Sequence, residues 1–457
     1  MSQQRLTALD ASFLEVESPT AHMHVGWAAL FGPPQIGPPP SFEELREHVA
    51  ARLGRAPRYR QKLSPVPLGI GEPVWVDDPD FDIDRHVRRV AHGDFQDAID
   101  EFLSMPLERD RPLWELWIAD QLDDGRVGTI GKVHHCMVDG VAAVELSSLM
   151  LDASPDPPPE RDDWRAKRGP AGLALATDAV VAQATLMARL ARVPLNLVRR
   201  PALGFETLGR VVRAARRSLQ PAPPTALNRP ISRRRHLGRV DRPLDDLRAV
   251  KREHGATIND VVLAAAAGAL RRIFLDRGEE PVPLKAMVPV SVRDDNGGEF
   301  GNRISFAFAE LPCDEADPEA RLERVVETMT ECKSGGEPQG GDVLLGALEY
   351  MPRPLQHLAA HLVASPRAFN LVVSNIPGPP LDLYMRGCLL EEAYPVVPLA
   401  DNHGVSIGMT SVAGRACFGI YADAETVPDA DALAAAIAES VDELVAGARA
   451  APVVALT

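Results

Sequence analysis

Aromatic residues and cysteines are both scarce in this chain of 457 residues. Phe, Trp and Tyr make up 5% of the sequence, so the core must be built mainly from aliphatic side chains. The 5 cysteines are an odd number without any C-x-x-C pair, which indicates reduced thiols and argues against a structural zinc site. No run reaches the roughly 20 apolar residues of a membrane-spanning helix, and the first residues lack the apolar stretch of a secretory signal. We therefore expect a cytoplasmic protein.

Basic residues are outnumbered by acidic ones, with Lys+Arg 49 against Asp+Glu 64 and a net charge of -15. Such a charge disfavours binding to nucleic acid, so no nucleic-acid partner is expected. Hydrophobic residues form 45% of the chain, which is ample material for a core. Because the chain is longer than one core usually supports, we expect two domains of roughly 200 residues each.

Strand and helix patterns alternate through both halves of the chain. Ser41 and Glu44 predict a capping box at the start of one helix, and Thr257 and Asp260 predict another. Near the carboxyl end, two apolar strand patterns are separated by Ala413-Gly414, which predicts a hairpin. Helices and strands mixed in this way predict α/β or α+β domains of similar design.

A segment rich in arginine, from Ala171 to Arg217, lies between the two halves. Its apolar residues indicate amphipathic helices that bridge two domains, which is the simpler interpretation. A basic amphipathic helix can also lie on an anionic lipid surface, and this second role stays open. We place a first domain at residues 1–168, a helical linker at 169–235 and a second domain at 236–457.

The stretch with the richest chemistry is the H-H-x-x-x-D-G pattern, formed by His134, His135, Asp139 and Gly140. A strand pattern from Arg126 to His134 precedes it and a helical pattern follows, so the histidines should lie where a strand ends beside a cleft. Side chains alternate across a strand, which directs one imidazole toward a substrate and the other toward the protein interior.

A neutral imidazole is well suited to take the proton of a hydroxyl that attacks a thioester or ester carbonyl. His135 is the candidate base, and His134 is the candidate inward packing residue. Asp139 can cap the following helix, while a buried carboxylate there would need a cation such as Arg293. Gly140 permits the tight turn.

The histidine pair has two other interpretations. Ligation of one metal ion is disfavoured because the two side chains leave the strand on opposite faces and no further His or Cys cluster accompanies them. Histidines of the core with satisfied nitrogens are the other alternative. A covalent serine mechanism is also disfavoured, because the sequence contains no G-x-S-x-G pattern.

Other polar or aromatic positions have both a structural and a functional interpretation. Asp260 is better explained as the capping residue, whereas Asn259 in the same first turn can equally point into a cleft. Trp114 can be a core residue or the wall of an apolar channel. Ser374 and Asn375 end a strand before a rigid Pro-Gly-Pro turn, so they either shape the turn or stabilise an oxyanion.

Several segments taken in order resemble the bacterial wax ester synthase/diacylglycerol acyltransferase family. The H-H-x-x-x-D-G pattern alone is shared with condensation domains and other CoA-dependent acyltransferases, so the ordered set is more specific. The chain departs from the pattern near its carboxyl end, where Ser411-Val-Ala-Gly414 replaces an S-Y-x-G-like hairpin. The segments that carry the resemblance are Leu6–Phe13, Pro112-Leu113-Trp114-Glu115, His134–Gly140, Asn259-Asp260, Val288–Arg293 with Gly301-Asn302, and Ser374–Pro379.

The resemblance implies two chloramphenicol-acetyltransferase-like domains joined by a helical linker, with an active-site tunnel between them that Pro112, Leu113 and Trp114 would help to line. It implies that His135 is the general base for direct acyl transfer from acyl-CoA to diacylglycerol or a fatty alcohol, without an acyl-enzyme. Asp139 would hold the motif through Arg293, and Asn259 would support the site. Acyl-CoA would be a co-substrate, no cofactor or metal would be required, and the protein would contact membranes or lipid droplets peripherally.

Two alternatives remain beside this function. One is a condensation-type acyltransferase that uses a carrier-protein thioester, although the chain has no carrier domain. The other is a noncatalytic protein that binds lipid droplets and has kept the fold.

Overall fold

The computed structural model describes residues 5–34, 37–67, 71–91, 93–137, 150–160, 162–167, 220–293, 302–334 and 353–450, with single positions at 169, 175, 177, 180 and 181. The helices in these ranges are α1 Ala8–Glu15, α2 Phe42–Arg52, α3 Phe95–Ser104, α4 Leu244–Glu253, α5 Ile258–Asp276, α6 Pro318–Ser334, α7 Arg353–Val363 and α8 Ala430–Ala450. The strands of the first half are β1 His24–Phe31, β2 Gln61–Ser64, β3 Val74–Asp77, β4 Val87–Arg89, β5 Trp114–Ala119 and β6 Val127–His134. Those of the second half are β7 Arg235–Pro243, β8 Leu284–Arg293, β9 Asn302–Leu311, β10 Leu371–Ile376, β11 Tyr384–Met385, β12 Cys388–Val396, β13 Val405–Val412 and β14 Arg415–Asp423.

The first sheet has six strands in the order β11-β12-β1-β6-β5-β4. Its inner strand β6 is buried along its whole length and pairs antiparallel with β1 on one side and β5 on the other. Two glycines bring β1 and β6 into close contact. A Cβ atom on Gly131 would overlap the ring of Trp27, its partner in the register, and one on Gly26 would overlap the carbonyl oxygen of Gly131.

The second sheet has six strands in the order β7-β14-β13-β10-β8-β9, with β10 parallel to both of its neighbours. The helices α5 and α8 contribute to the core packed against this sheet. Helix α5 is buried from Val261 to Ala267 on all sides, which explains its alanine-rich, almost wholly apolar sequence. The structure therefore has a helix and sheet layer in its second half, as mixed α/β patterns predict.

The two sheets meet where β12, from the second half of the chain, crosses β13 and β14. Strand β12 pairs antiparallel with β1, so residues 388–396 complete the sheet of the first half. Gly408 and Gly419 are register partners in the second sheet, and both face Pro395 of β12. A Cβ on Gly419 would overlap the Pro395 carbonyl oxygen, and one on Gly408 would lie 2.9 Å from the Pro395 ring. The absence of side chains at these two positions lets the sheets approach.

Charged groups join the halves beside this crossing. The buried Arg235 guanidinium lies 3.1 Å from the buried Asp423 carboxylate, and it also donates to the carbonyl of Thr20. The next residue, His236, contacts Asp100 on α3 at 2.6 Å and Asp431 on α8 at 3.0 Å. The hydrogen bond with Asp100 is the main cause that raises the pKa of His236 to about 9, against desolvation. At neutral pH, His236 is therefore a cation shared by two carboxylates.

Several local predictions from the sequence are confirmed. Both capping boxes are present, at Ser41 with Glu44 and at Thr257 with Asp260. The hairpin turns at Ala413 and Gly414, both with positive φ, of 47° and 75°. The predicted domain boundaries stay a prediction, and most of the arginine-rich linker lies outside the described residues, as does the predicted helix after the histidine motif up to Leu149. Among the described helices, none is both long and apolar enough to cross a membrane.

The His236 contacts predict a pH-dependent contribution to stability. Because the folded-state pKa is raised above the ordinary 6.5, the contribution is fully present below pH 6.5 and is lost as pH rises through about 9. His236→Ala should lower the free energy of unfolding by about 1 kcal/mol at pH 7, or the melting temperature by roughly 2–4 °C. The two proteins should converge at pH 10 in thermal melts. His361→Ala, at an exposed position on α7, serves as the control, and a wild-type advantage of equal size at both pH values would contradict the interpretation.

Candidate active site

The end of β6 places the histidine pair through its backbone. The His134 N–H donates to the carbonyl of Leu113 at 2.9 Å, and the His135 N–H donates to the carbonyl of Met23 at 2.9 Å. His135 opens a short 3₁₀ helix that extends to Met137, so the two residues lie on either side of the point where the strand ends. The backbone of the pair is thus held from two sides.

His134 is fully buried, and its ring nitrogens have distinct surroundings. Its Nδ1 accepts from the Cys136 backbone N–H at 3.1 Å, so the neutral ring carries its proton on Nε2. That Nε2 lies 3.6 Å from the Glu17 carboxylate, beyond hydrogen-bond distance. Burial lowers the pKa of His134 to about 3, with a smaller contribution from Arg109. His134 is therefore a neutral, inward residue with a defined tautomer.

His135 is half-buried, and its ring stacks on Phe13 with centroids 3.7 Å apart and an interplanar angle of 16°. The Nδ1 atom is buried and makes no hydrogen bond with any residue that the structure describes. Burial is the main cause that lowers the pKa of His135 to about 4. The imidazole is consequently neutral throughout the neutral pH range and can accept a proton from a bound hydroxyl.

Buried polar groups surround the pair on the side of β1. His22 and His24 are both buried, and the His24 ring lies 6.0 Å from that of His134. Desolvation lowers the pKa of His22 to about 4 and that of His24 well below its ordinary value. These rings are neutral, and no group of three His, Cys, Asp or Glu residues within the described ranges is arranged to hold a metal ion.

Lys132 anchors β6 to α3. Its Nζ donates to the carbonyls of Phe102 and Met105, both at 2.7 Å, and lies 4.2 Å from the centre of the Phe102 ring. Burial lowers the pKa of Lys132 to about 8. The side chain satisfies carbonyls at the carboxyl end of α3, which a nearby cation stabilises. The role of Lys132 was not predicted from the sequence. A lysine within an otherwise apolar strand pattern was the one feature that could have indicated a buried, bonded side chain.

The five cysteines are all free, as the sequence predicted, and all five are buried. Cys136, the one beside the histidines, has a pKa raised to about 12, chiefly by burial. Its thiol is therefore protonated at neutral pH, which disfavours a nucleophilic role because the thiolate is the reactive form.

Pro112, Leu113 and Trp114 are buried next to the motif. The Trp114 indole N–H donates to the carbonyl of Tyr59 at 2.7 Å, and its ring stacks on His86 with centroids 4.7 Å apart. These contacts favour a packing role for Trp114. The segment contacts the histidine motif through the Leu113 carbonyl, which accepts from the His134 N–H. A role of these residues in lining a substrate tunnel stays a prediction.

The residues predicted from the second half lie on α5 and β10. Asp260 is buried and its Oδ2 accepts from the Thr257 N–H at 2.8 Å, while its Oδ1 has no hydrogen-bond partner among the described residues. Asn259 is half-buried in the same turn. On β10, Ser374 is buried and Asn375 is half-buried. Among the described residues, no hydrogen bond joins the His135 ring to any of these four.

The turn after β10 is tied to the final hairpin. The Gly378 N–H donates to Ser411 Oγ at 3.1 Å, and Thr410 Oγ1 donates to the Ile376 carbonyl at 2.7 Å. Val412 of the same hairpin packs against the core of the first half, which contains Val133 and Cys136. The Pro-Gly-Pro turn is thus connected through one hairpin to the core beneath the histidine motif.

Three predicted site residues cannot be placed in this geometry. Asp139 and Gly140 lie outside the described residues. Arg293 ends β8, where it pairs with Asn302, but its side chain is also outside the described part of the chain. The proposed contact between Asp139 and Arg293 therefore stays a prediction.

Comparison with known proteins shows which family this chain resembles. A model of the wax ester synthase/diacylglycerol acyltransferase catalytic domain matches residues 6–262, and a model of the WS/DGAT C-terminal domain matches residues 300–445. A Mycobacterium tuberculosis (strain CDC 1551 / Oshkosh) protein named probable diacyglycerol O-acyltransferase tgs1 is 34% identical over 461 residues, which cover 96% of each chain.

Solved structures agree with these matches. The wax ester synthase/diacylglycerol acyltransferase from Marinobacter aquaeolei VT8 superposes with a TM-score of 0.71 at 26% identity, over 98% of this chain and 100% of that one. The starter condensation domain of rhizomide synthetase RzmA has a TM-score of 0.59 at 13% identity over 98% of this chain and 94% of that one, which shows the fold alone.

The likeness to the Marinobacter enzyme confirms the predicted pair of chloramphenicol-acetyltransferase-like domains. Both family models and the mycobacterial relative together cover nearly the whole chain, including the histidine motif and the β10 turn. The protein therefore belongs to the wax ester synthase/diacylglycerol acyltransferase family.

Proposed function

We propose that this acyltransferase moves a long-chain acyl group from acyl-CoA to diacylglycerol or a fatty alcohol, with His135 as the general base. The observation that carries the proposal is the position of His135, a half-buried neutral imidazole at the end of a buried strand. Membership of the family supports the reaction class, since the mycobacterial relative is named a diacyglycerol O-acyltransferase.

The reaction needs one proton to move from the acceptor oxygen to the leaving sulfur. The acceptor hydroxyl attacks the thioester carbonyl while the neutral His135 imidazole takes its proton. The tetrahedral intermediate then collapses, the C–S bond breaks and the imidazolium returns the proton to the CoA sulfur. Direct transfer of this kind forms no acyl-enzyme, and it agrees with the protonated state of the Cys136 thiol.

The remaining site residues have supporting roles in this proposal. Asp139 and Gly140 shape the turn after the histidines, with Arg293 as the cation beside Asp139. Ser374 and Asn375 at the end of β10, together with Asn259, are candidates to donate to the developing oxyanion, where fixed donors contribute most. Acyl-CoA serves as a co-substrate, and the chemistry requires no cofactor or metal.

The acceptors are poorly soluble in water, so we also propose peripheral contact with membranes or lipid droplets. Helix α7 supports this proposal, because Leu358, Leu362 and Val363 are 54%, 63% and 48% exposed. Residues 353–368 contain two arginines and two histidines and no acidic residue, in a chain of net charge -15. An apolar stripe flanked by basic residues suits an anionic lipid surface. Val180 and Val181 of the arginine-rich segment are also exposed and provide a second candidate contact.

His135→Ala should lower kcat for acyl transfer by about 10²–10⁴-fold, because the attacking hydroxyl loses its base. The measurement is ester formation from palmitoyl-CoA with diacylglycerol and, separately, with hexadecanol. His254→Ala, at the carboxyl end of α4 and outside both proposed sites, is the control and should retain full activity. Full turnover by His135→Ala would contradict the proposal, whereas turnover only with an acyl-carrier-protein thioester would favour the condensation-type alternative.

Leu358→Ser with Leu362→Ser should weaken binding to phosphatidylglycerol-containing vesicles by about tenfold, because two apolar side chains can no longer enter the lipid. Vesicle co-sedimentation measures the loss. Leu275→Ser is the matched control, since Leu275 is 50% exposed on α5. Equal loss for the control, or unchanged binding of the double variant, would count against α7 as the contact surface.

A further inference from the structure

Among the residues that the structure describes, none forms the hydrogen bond that usually orients a catalytic imidazole with the His135 ring. Its Nδ1 atom is buried and has no hydrogen-bond partner within the described ranges, so no described carboxylate or carbonyl fixes the plane of the ring there. The backbone is held by the Met23 carbonyl, but a backbone bond leaves the side-chain torsions free to change. Another contact must therefore restrict the orientation of the imidazole.

Phe13 makes a contact of that kind. The two rings lie almost parallel, with centroids 3.7 Å apart and an interplanar angle of 16°. A face-to-face contact at this distance leaves no room for water on that side of the imidazole. It also opposes any rotation that would tilt the imidazole away from its nearly parallel arrangement with the Phe13 ring, while the ring edge stays available to a substrate.

Helix α1, which carries Phe13, is held at both ends. Thr7 caps its beginning by accepting from the Asp10 N–H at 3.1 Å, and the Leu6 N–H donates to the Pro73 carbonyl at 3.1 Å. Near its end, the Glu15 carboxylate lies 2.8 Å from Nδ1 of His357 on α7. A helix fixed at both ends can hold an aromatic ring at a constant position.

We infer that Phe13 is a positioning residue for the proposed base: its stacked ring holds the His135 imidazole in the plane needed for proton transfer and keeps water from its face. This inference rests on the proposed role of His135. It differs from simple core packing, in which Phe13 would contribute to stability through its apolar neighbours and any apolar side chain of similar volume would serve.

Within the described part of the chain, the charged and titratable groups next to the stack lie on α1, on the segment after it and at the end of β6. Helix α1 carries Asp10 and Glu15. Glu17, two residues beyond the end of α1, forms an ion pair with Arg109, and His134 directly precedes His135. Burial lowers the pKa of His135 to about 4, and among the described residues His134 adds a smaller electrostatic contribution in the same direction. Removing the Phe13 ring should let water reach the imidazole and so raise this pKa toward the ordinary value of 6.5.

The test compares Phe13→Leu, which keeps an apolar side chain, with Phe13→Tyr, which keeps the ring. Phe13→Leu should lower kcat by about tenfold to a hundredfold with the KM for acyl-CoA changed by less than about twofold, because misorientation acts on the chemical step. The acidic limb of its pH–rate profile should move to higher pH. Phe13→Tyr should restore most of kcat and the wild-type limb.

Val16→Ala is the matched control, because Val16 is half-buried and packs against the same apolar cluster as Phe13. A second measurement does not depend on activity: in the ¹H–¹³C spectrum of the imidazoles, the His135 signal should lose its upfield ring-current shift in Phe13→Leu and keep it in Phe13→Tyr. Wild-type kcat and spectrum in Phe13→Leu, or an equal loss of kcat in Val16→Ala, would overturn the inference. An active His135→Ala variant would overturn both the role of His135 and this inference. If only the predictions for the Phe13 variants are wrong, the role of His135 is unaffected.

Discussion

The site depends on the backbone hydrogen bonds that hold the end of β6 in the first sheet. Strand β6 is buried along its length, and its last residue is bonded to Leu113 on one side while the following residue is bonded to Met23 on the other. Because both neighbours fix the same short segment, His134 faces the core and His135 stays half-buried at the end of the strand. Lys132 adds a third constraint through the carbonyls at the end of α3.

The two halves of the chain are joined by a shared sheet and by buried polar contacts. Strand β12 belongs to the second half but completes the sheet that contains β6, and the glycines of β13 and β14 make room for it. Arg235 links the same region to Thr20 and Asp423, so the polypeptide just before β1 is bonded to the second sheet. The proposed active site between the two domains would depend on this connection, since proton transfer tolerates little displacement of the reacting groups.

Local features of the fold were predictable from the sequence because a few neighbouring residues determine them. The capping boxes at Ser41 and Thr257 require only a hydroxyl and a carboxylate three residues apart, and the turn at Ala413 and Gly414 needs only residues that tolerate positive φ. The histidine motif was also recognisable, since its chemistry is contained within seven residues.

The remaining features depend on contacts between distant parts of the chain. Nothing around Phe13 indicates that its ring meets His135, and nothing around Pro395 indicates that β12 pairs with β1. These contacts depend on the tertiary structure, because the register of the strands and the positions of the helices are determined together when the chain folds. For the same reason, Trp114 could be proposed as a tunnel wall from the sequence, although its indole N–H is bonded to the Tyr59 carbonyl within the core.

In the proposed reaction, His135 promotes direct attack on acyl-CoA without an acyl-enzyme. The most direct measurement mixes the protein with radiolabelled palmitoyl-CoA in the absence of any acceptor and follows CoA release and protein labelling in a single turnover. Direct transfer predicts no stoichiometric burst of CoA and no labelled protein until an acceptor alcohol is added. A burst equal to the enzyme concentration, with the label bound covalently to the protein, would contradict this account.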